Sequence, residues 1–156
     1  MSRVQLALRV SDLDGSVAFY SKLFGVEPAK RRPGYANFAV QEPPLKLVLI
    51  EGEAGRPTVM DHLGVEVFST EEVAAATDRL TRSGLITLTE DDTECCYALQ
   101  DKVWVRGPGE EPWEVYVVKG DADKLDKATG SECCGIRDGD NAKELAGSAS
   151  STRSCC

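Results

Sequence analysis

The sequence predicts an α+β domain in which one βαβββ module is written twice around a concave cleft, followed by a disordered tail. Three observations predict it. VQLALRVSDLDGSVAFYSKLFG, from Val4, and DHLGVEVFSTEEVAAATDRLTRSG, from Asp61, share one plan: a run alternating with period two, a Ser with an acid three residues on, an amphipathic stretch, then Gly. The ends of the halves also match, since PPLKLVLIE lies over EPWEVYVVK with Leu45 on Trp113 and Lys46 on Glu114. From Gly120 onward the pattern dissolves into small and polar residues, too poor in apolar surface to offset the entropy of ordering. A chain of 156 residues with 42% hydrophobic content has material for one core. The boundaries read as module one at about 1–52, module two at about 60–119 and tail at 120–156, with the turn-rich EGEAGRPT between the modules.

Taken in order, the first strand sets Val4, Leu6, Leu8 and Val10 on one face and Gln5, Ala7 and Arg9 on the other. The first helix opens at Ser11, with Asp14 completing a capping box, and stripes Leu13, Val17, Tyr20 and Phe24. YANFAV and LKLVLIE then read as strands. In module two, Leu63, Val65 and Val67 oppose His62, Gly64 and Glu66, and a shorter helix capped by Ser69 and Glu72 stripes Val73, Ala76 and Leu80. CCYAL, KVWVRG and WEVYVV follow, and the last puts Trp113, Val115 and Val117 opposite Glu114, Tyr116 and Val118. Within the tail, only 141–145 hints at a short helix.

A net charge of −8 with no basic stripe argues against nucleic acid or an anionic membrane as partner. No apolar run has the length of a signal peptide's core or a membrane span, so the expected location is cytoplasmic. The six cysteines form three adjacent pairs, Cys95–Cys96, Cys133–Cys134 and Cys155–Cys156, unlike a secreted disulfide framework. Adjacent Cα atoms lie about 3.8 Å apart, below the roughly 4.4 Å that a disulfide needs, so each pair is expected as two thiols. Two such thiols serve as core filler, as a redox pair or as a chelate for something soft. Monomer and homodimer are both compatible with the sequence.

The apolar strand faces must meet the helices, so the opposite faces meet across the cleft and bring Gln5, His62 and Glu114 together. One imidazole, one carboxylate and one amide oxygen make a mixed N/O set suited to a divalent first-row metal with open positions. The bland reading of His62, the only histidine, is a satisfied core residue. Lys46 fills the fourth equivalent slot and is no ligand. Arg9 and Lys46 face the cleft by parity, either to hold an anionic group or to form structural salt bridges. Since neither strand face at the cleft packs on a helix, Ala at His62 or Glu114 should remove a metal and spare the fold.

The paired βαβββ pattern with candidate ligands on its strands resembles the vicinal oxygen chelate superfamily, whose members include glyoxalases, extradiol dioxygenases and drug-binding resistance proteins. More closely, QLALRV, FYSKLFG, PGYANFA, PPLKLVLIE, DHLGVEV, TECCYALQDKVWV and EPWEVYVVKGDA resemble the organoarsenical carbon–arsenic lyases and the related cadmium-induced proteins, over about 3–125. That resemblance implies a nonheme Fe(II), O2-dependent enzyme that converts small trivalent organoarsenicals such as methylarsenite, and aromatic ones, to arsenite. It puts the iron ligands on Gln5, His62 and Glu114 and the substrate thiols on Cys95 and Cys96, with Tyr97, Lys102 and Tyr116 as pocket groups or, for the tyrosines, core. Trivalent arsenic is soft, which suits a thiolate pair. Because strand neighbours point to opposite faces, a mobile loop over about 90–102 is expected to turn both sulfurs to one atom. The alternatives are a non-enzymatic metalloid- or cadmium-binding protein, which needs no Gln5, His62, Glu114 set, and a glyoxalase or dioxygenase chemistry on the same fold, which needs no dithiol.

Overall fold

A computed structural model describes residues 2–125; the tail pairs Cys133–Cys134 and Cys155–Cys156 and the helix expected at 141–145 lie outside the described residues. The chain runs β1 (Arg3–Val10), α1 (Leu13–Phe24), β2 (Lys30–Arg32), β3 (Tyr35–Val40), β4 (Leu45–Glu51), β5 (Val59–Glu66), α2 (Thr70–Arg82), β6 (Leu88–Cys95), β7 (Ala98–Arg106) and β8 (Pro112–Asp121). This is βαβββ twice. The strands form one sheet in the order β2-β3-β4-β1-β5-β8-β7-β6, so the modules meet where β1 pairs antiparallel with β5. Within each module the first and last strands pair parallel, β1 with β4 and β5 with β8.

Each helix covers its own half of the sheet. Leu13 and Val17 of α1 pack with Val10, Ala36, Phe38, Leu47 and Leu49, and Tyr20 and Phe24 extend that cluster. Val73, Ala76 and Leu80 of α2 pack with Val103 and Val117. Both stripes read from the sequence are therefore the buried ones. A third cluster lies on the opposite, concave face, where Ala7, Tyr35, Val48 and Ile50 of module one meet Cys95 and Tyr97 of module two.

Local details depart from the sequence reading in four places. Asp12, not Ser11, caps α1: its backbone is extended (φ −133°) and its carboxylate accepts from the Gly15 N–H at 2.8 Å. Ser69 caps α2 as expected, accepting from the Glu72 N–H. Residues 90–102 are a β-hairpin in place of the expected loop, because the acidic run LTEDDTEC pairs with β7 in antiparallel register. CCYAL is accordingly a turn and the start of β7, not a strand of its own. Finally, β8 continues past 119 to Asp121, and residues 122–125 lie against the hairpin tip through Cys96 N–H to Leu125 O (2.9 Å) and Tyr97 N–H to Lys124 O (2.8 Å).

Candidate metal and thiol site

The concave face brings the sequence-predicted residues together. Gln5 on β1 lies across from Gly64 on β5, and Gly64 pairs with Glu114 on β8, so one row of the sheet carries Gln5 and Glu114 on either side of a residue with no side chain. A Cβ at Gly64 would stand 3.1 Å from Glu114 Cγ and 3.3 Å from Gln5 Cβ. Glycine permits that close approach. His62 lies two residues along β5, facing the same cleft.

Three donor groups converge there. Gln5 Nε2 is 2.9 Å from His62 Nε2 and donates to Glu114 Oε1 at 2.8 Å, while His62 Nε2 and Glu114 Oε1 are 3.4 Å apart. Adjacent ligands of an octahedral first-row metal at about 2.0–2.2 Å are separated by about 2.8–3.1 Å; the two contacts of the Gln5 amide fall in that range, and the His62–Glu114 separation of 3.4 Å is a few tenths of an ångström wider. No group of three or more His, Cys, Asp and Glu that could hold a metal occurs among the described residues; the third polar group beside His62 and Glu114 is the Gln5 amide. Amides ligate through oxygen, and Gln5 Oε1 now accepts from the Tyr116 hydroxyl. That hydroxyl can accept as well as donate, so it serves either setting of the amide.

Around these groups lies a set of buried charges. His62 Nδ1 is bonded to Asp61 Oδ1 at 2.7 Å, which leaves Nε2 toward the cleft, and the imidazole packs edge-on against Trp104. Burial opposes charge on His62, but the carboxylates of Asp61 and Glu114 outweigh it and raise the imidazole pKa to about 9. Burial likewise opposes the Glu114 carboxylate, yet Lys102 and His62 hold its pKa down to about 2. Lys102 Nζ donates to Glu114 Oε2 at 2.8 Å; against its own burial it is held protonated by Glu114 and by the nearby Cys95 and Cys96. Arg9 and Lys46 take the salt-bridged alternative, Arg9 with Asp61 and Lys46 with Glu66 at 3.4 Å. Lys46 also lies over the Tyr116 ring.

Asp61 escaped the sequence reading because strict alternation puts it on the outer face. A register shift, Ala7 facing His62 but Leu8 facing Met60, leaves Asp61 as the extra residue of a bulge.

The cysteine pair sits at the tip of the β6–β7 hairpin. Cys95 pairs with Ala98, and the two residues between them, Cys96 (φ 55°) and Tyr97 (φ 59°), are both left-handed. Two-residue hairpins favour Asn-Gly at such positions, and side chains there cost roughly 1–3 kcal/mol each. Contacts with module one hold the turn: Tyr97 OH donates to Pro33 O at 2.9 Å, and Lys30 Nζ to Tyr97 O at 3.0 Å. The left-handed turn sets the two sulfurs 3.2 Å apart, beyond the roughly 2.0 Å of a disulfide and near enough for one atom to bridge. Cys95 is buried and Cys96 half-buried. Cys96 shares one cavity, about 170 Å³, with Gln5, His62, Lys102 and Glu114; Gln100 also lines it. Gln100 was missed, although it stands two residues from Lys102 on the same strand face.

Comparisons with known proteins give the family of the chain. Residues 3–115 match the model of the glyoxalase/bleomycin resistance protein/dioxygenase superfamily. A trivalent organoarsenical cleaving enzyme of Thermomonospora curvata is 64% identical over all of both chains. The cadmium-induced protein CadI of Mycobacterium tuberculosis is 59% identical over 79% of this chain and 80% of its own. Among solved structures, a Mn(II)-bound glyoxalase of Novosphingobium aromaticivorans superposes with a TM-score of 0.56 at 21% identity, covering 83% of this chain and 44% of that one. An extradiol ring-cleaving dioxygenase of B. fuscum gives 0.55 at 21%, over 79% and 34%. The chain belongs to the glyoxalase/bleomycin resistance protein/dioxygenase superfamily, in the group that holds the trivalent organoarsenical cleaving enzymes and the cadmium-induced proteins CadI.

Proposed function

We propose that this protein cleaves the carbon–arsenic bond of trivalent organoarsenicals, methylarsenite and aromatic arsenicals among them, to give arsenite, with Fe(II) as cofactor and O2 as cosubstrate. The observation that carries this reading is the sharing of one cavity by Cys96, one thiol of a strained dithiol turn, and a hard N/O donor set. Support comes also from the full-length likeness to an enzyme named for trivalent organoarsenical cleavage.

His62 through Nε2, Glu114 through Oε1 and Gln5 through its amide oxygen would hold the metal. Fe(II), when bound, supplies the one-electron chemistry that O2 requires. The rest is done by the chain. Cys95 and Cys96 each displace one hydroxyl of R–As(OH)2, forming two S–As bonds and releasing two waters. The turn then holds arsenic at the wall of the cavity that also contains the donor set, converting an encounter between reactants into proximity. Lys102 links the two halves: it neutralises Glu114 and is coupled electrostatically to Cys95 and Cys96. Asp61 fixes the tautomer and orientation of His62. The capture step requires reduced thiols, which suits the cytoplasm.

A sequestering protein has no use for the buried Gln5, His62, Glu114 set, and glyoxalase or catechol chemistry has no use for the left-handed Cys96. Turnover decides among these. Under reducing conditions, the chain with Fe(II) and methylarsenite is expected to consume O2 and release arsenite, measured by an oxygen electrode and by arsenic speciation. Stoichiometric arsenical binding with no O2 uptake would instead indicate sequestration.

The Gly64 cradle gives a separate check. Gly64→Ala forces Glu114 and Gln5 apart by a few tenths of an ångström and is expected to weaken divalent-metal affinity by about 10- to 100-fold, as loss of supporting contacts does. The overpacking should cost about 1–3 kcal/mol in a thermal melt.

A further inference from the structure

Gln100 carries a group that the chemistry above does not use. It is 4% exposed and lines the same cavity as Cys96, Lys102, His62 and Glu114. Its Nε2 donates to the Cys95 carbonyl at 3.1 Å, which fixes which end of the amide is which. Its Oε1 is buried and has no hydrogen-bond partner among the described residues. An amide oxygen left so costs about 1–3 kcal/mol unless a ligand or water donates to it.

Position narrows the donor. Ala98, Gln100 and Lys102 alternate onto one face of β7, so Gln100 stands one step, roughly 7 Å, from Lys102 and one from Ala98, the cross-strand partner of Cys95. Gln100 therefore stands between the strand partner of Cys95 and the lysine that holds the Glu114 carboxylate. A register shift beside Leu99/Gln100 leaves Lys119 of β8 as the extra residue of a bulge, so the alternation along β7 itself is unbroken.

We propose that Gln100 Oε1 accepts the hydrogen bond of the hydroxyl that remains on arsenic when a trivalent arsenical is held by one thiolate, which makes Gln100 a substrate-binding residue. The assignment rests on the trivalent organoarsenical reading above and deepens it. In the first capture step, R–As(OH)2 and the Cys96 thiol form one S–As bond and one water, leaving R–As(OH)–S–Cys96. The remaining As–O–H is a donor of the kind Oε1 lacks. A dialkyl arsenical, R2As–OH, spends its one hydroxyl on the first thiol and has nothing to donate. Gln100 thus selects arsenicals with a single carbon substituent at the capture step, before the second thiol closes the chelate.

The test uses the full metal-free chain with Cys133, Cys134, Cys155 and Cys156 changed to Ser and with Cys95→Ser, so that Cys96 alone captures. Binding of methylarsenite and of dimethylarsinous acid is measured by equilibrium dialysis with elemental detection of arsenic. Gln100→Leu is expected to weaken methylarsenite binding about three- to tenfold, the worth of one hydrogen bond, and to leave dimethylarsinous acid within about twofold. Gln100→Glu, which keeps an acceptor oxygen, should retain methylarsenite binding. Equal losses for both arsenicals, no loss for methylarsenite, or no one-thiolate adduct at all would overturn the assignment. If the chain with Cys95 and Cys96 both intact binds neither arsenical, the capture reading itself fails.

Discussion

Glu114→Ala is expected to abolish divalent-metal binding and to lower stability by about 3–5 kcal/mol, the cost of stranding a buried charge. Lys102 is 3% exposed, and Glu114 is its salt-bridge partner. Removing the carboxylate also leaves the Gln5 amide and His62 without a shared acceptor. For a domain of this size the melting temperature should fall by roughly 10 °C or more. The sequence alone suggested that this substitution would spare the fold; burial of Lys102 reverses that expectation. Glu114→Ala combined with Lys102→Met separates the two effects, because a buried ion pair replaced by apolar groups is often neutral in stability. The double variant should regain most of the lost stability and none of the metal affinity. Thermal melts and metal titrations of the three variants check both statements. Recovery of metal binding in the double variant would remove Glu114 from the ligand set.

Cys95→Ser with Cys96→Ser is expected to reduce cleavage of methylarsenite at least about 100-fold and to leave divalent-metal affinity within a few-fold, since proximity is the contribution of the pair. The two sulfurs lie 3.2 Å apart at the hairpin tip, and both cysteines are coupled electrostatically to Lys102, the salt-bridge partner of Glu114. Replacing Cys133, Cys134, Cys155 and Cys156 should do much less. Single-turnover assays and metal titration on the double and the quadruple variant check this. Cleavage at the parent rate by the Cys95, Cys96 variant would show that capture occurs elsewhere.

The parts of this molecule legible in the sequence are those set by short-range physics. Period-two runs fixed which strand faces carry Gln5, His62 and Glu114, and the helical stripes at Leu13, Val17, Val73, Ala76 and Leu80 named the packed faces. The adjacency of Cys95 and Cys96 required a break in regular strand geometry, and the left-handed turn supplies it in two residues where a loop was expected. What could not be read was set by pairing. The β2 strand, Lys30–Arg32, has no apolar face and exists because β3 pairs with it. Asp61 reaches His62 only through a bulge, and LTEDDTEC becomes a strand because β7 lies beside it. Gln100 and Lys102 looked like ordinary members of an alternating run, and their burial follows from the closing of module two over the cleft.

The division of labour in one cavity, thiolates for arsenic and N/O donors for the metal, is tested most directly by X-ray absorption at both edges. The chain, with its four tail cysteines changed to Ser, would be loaded with Fe(II) and then with methylarsenite in the absence of O2. The expected result is an arsenic centre with two sulfur neighbours beside its carbon, and an iron centre with only nitrogen and oxygen neighbours. Sulfur in the iron shell, or arsenic with fewer than two sulfurs at saturation, would contradict the assignment of these residues.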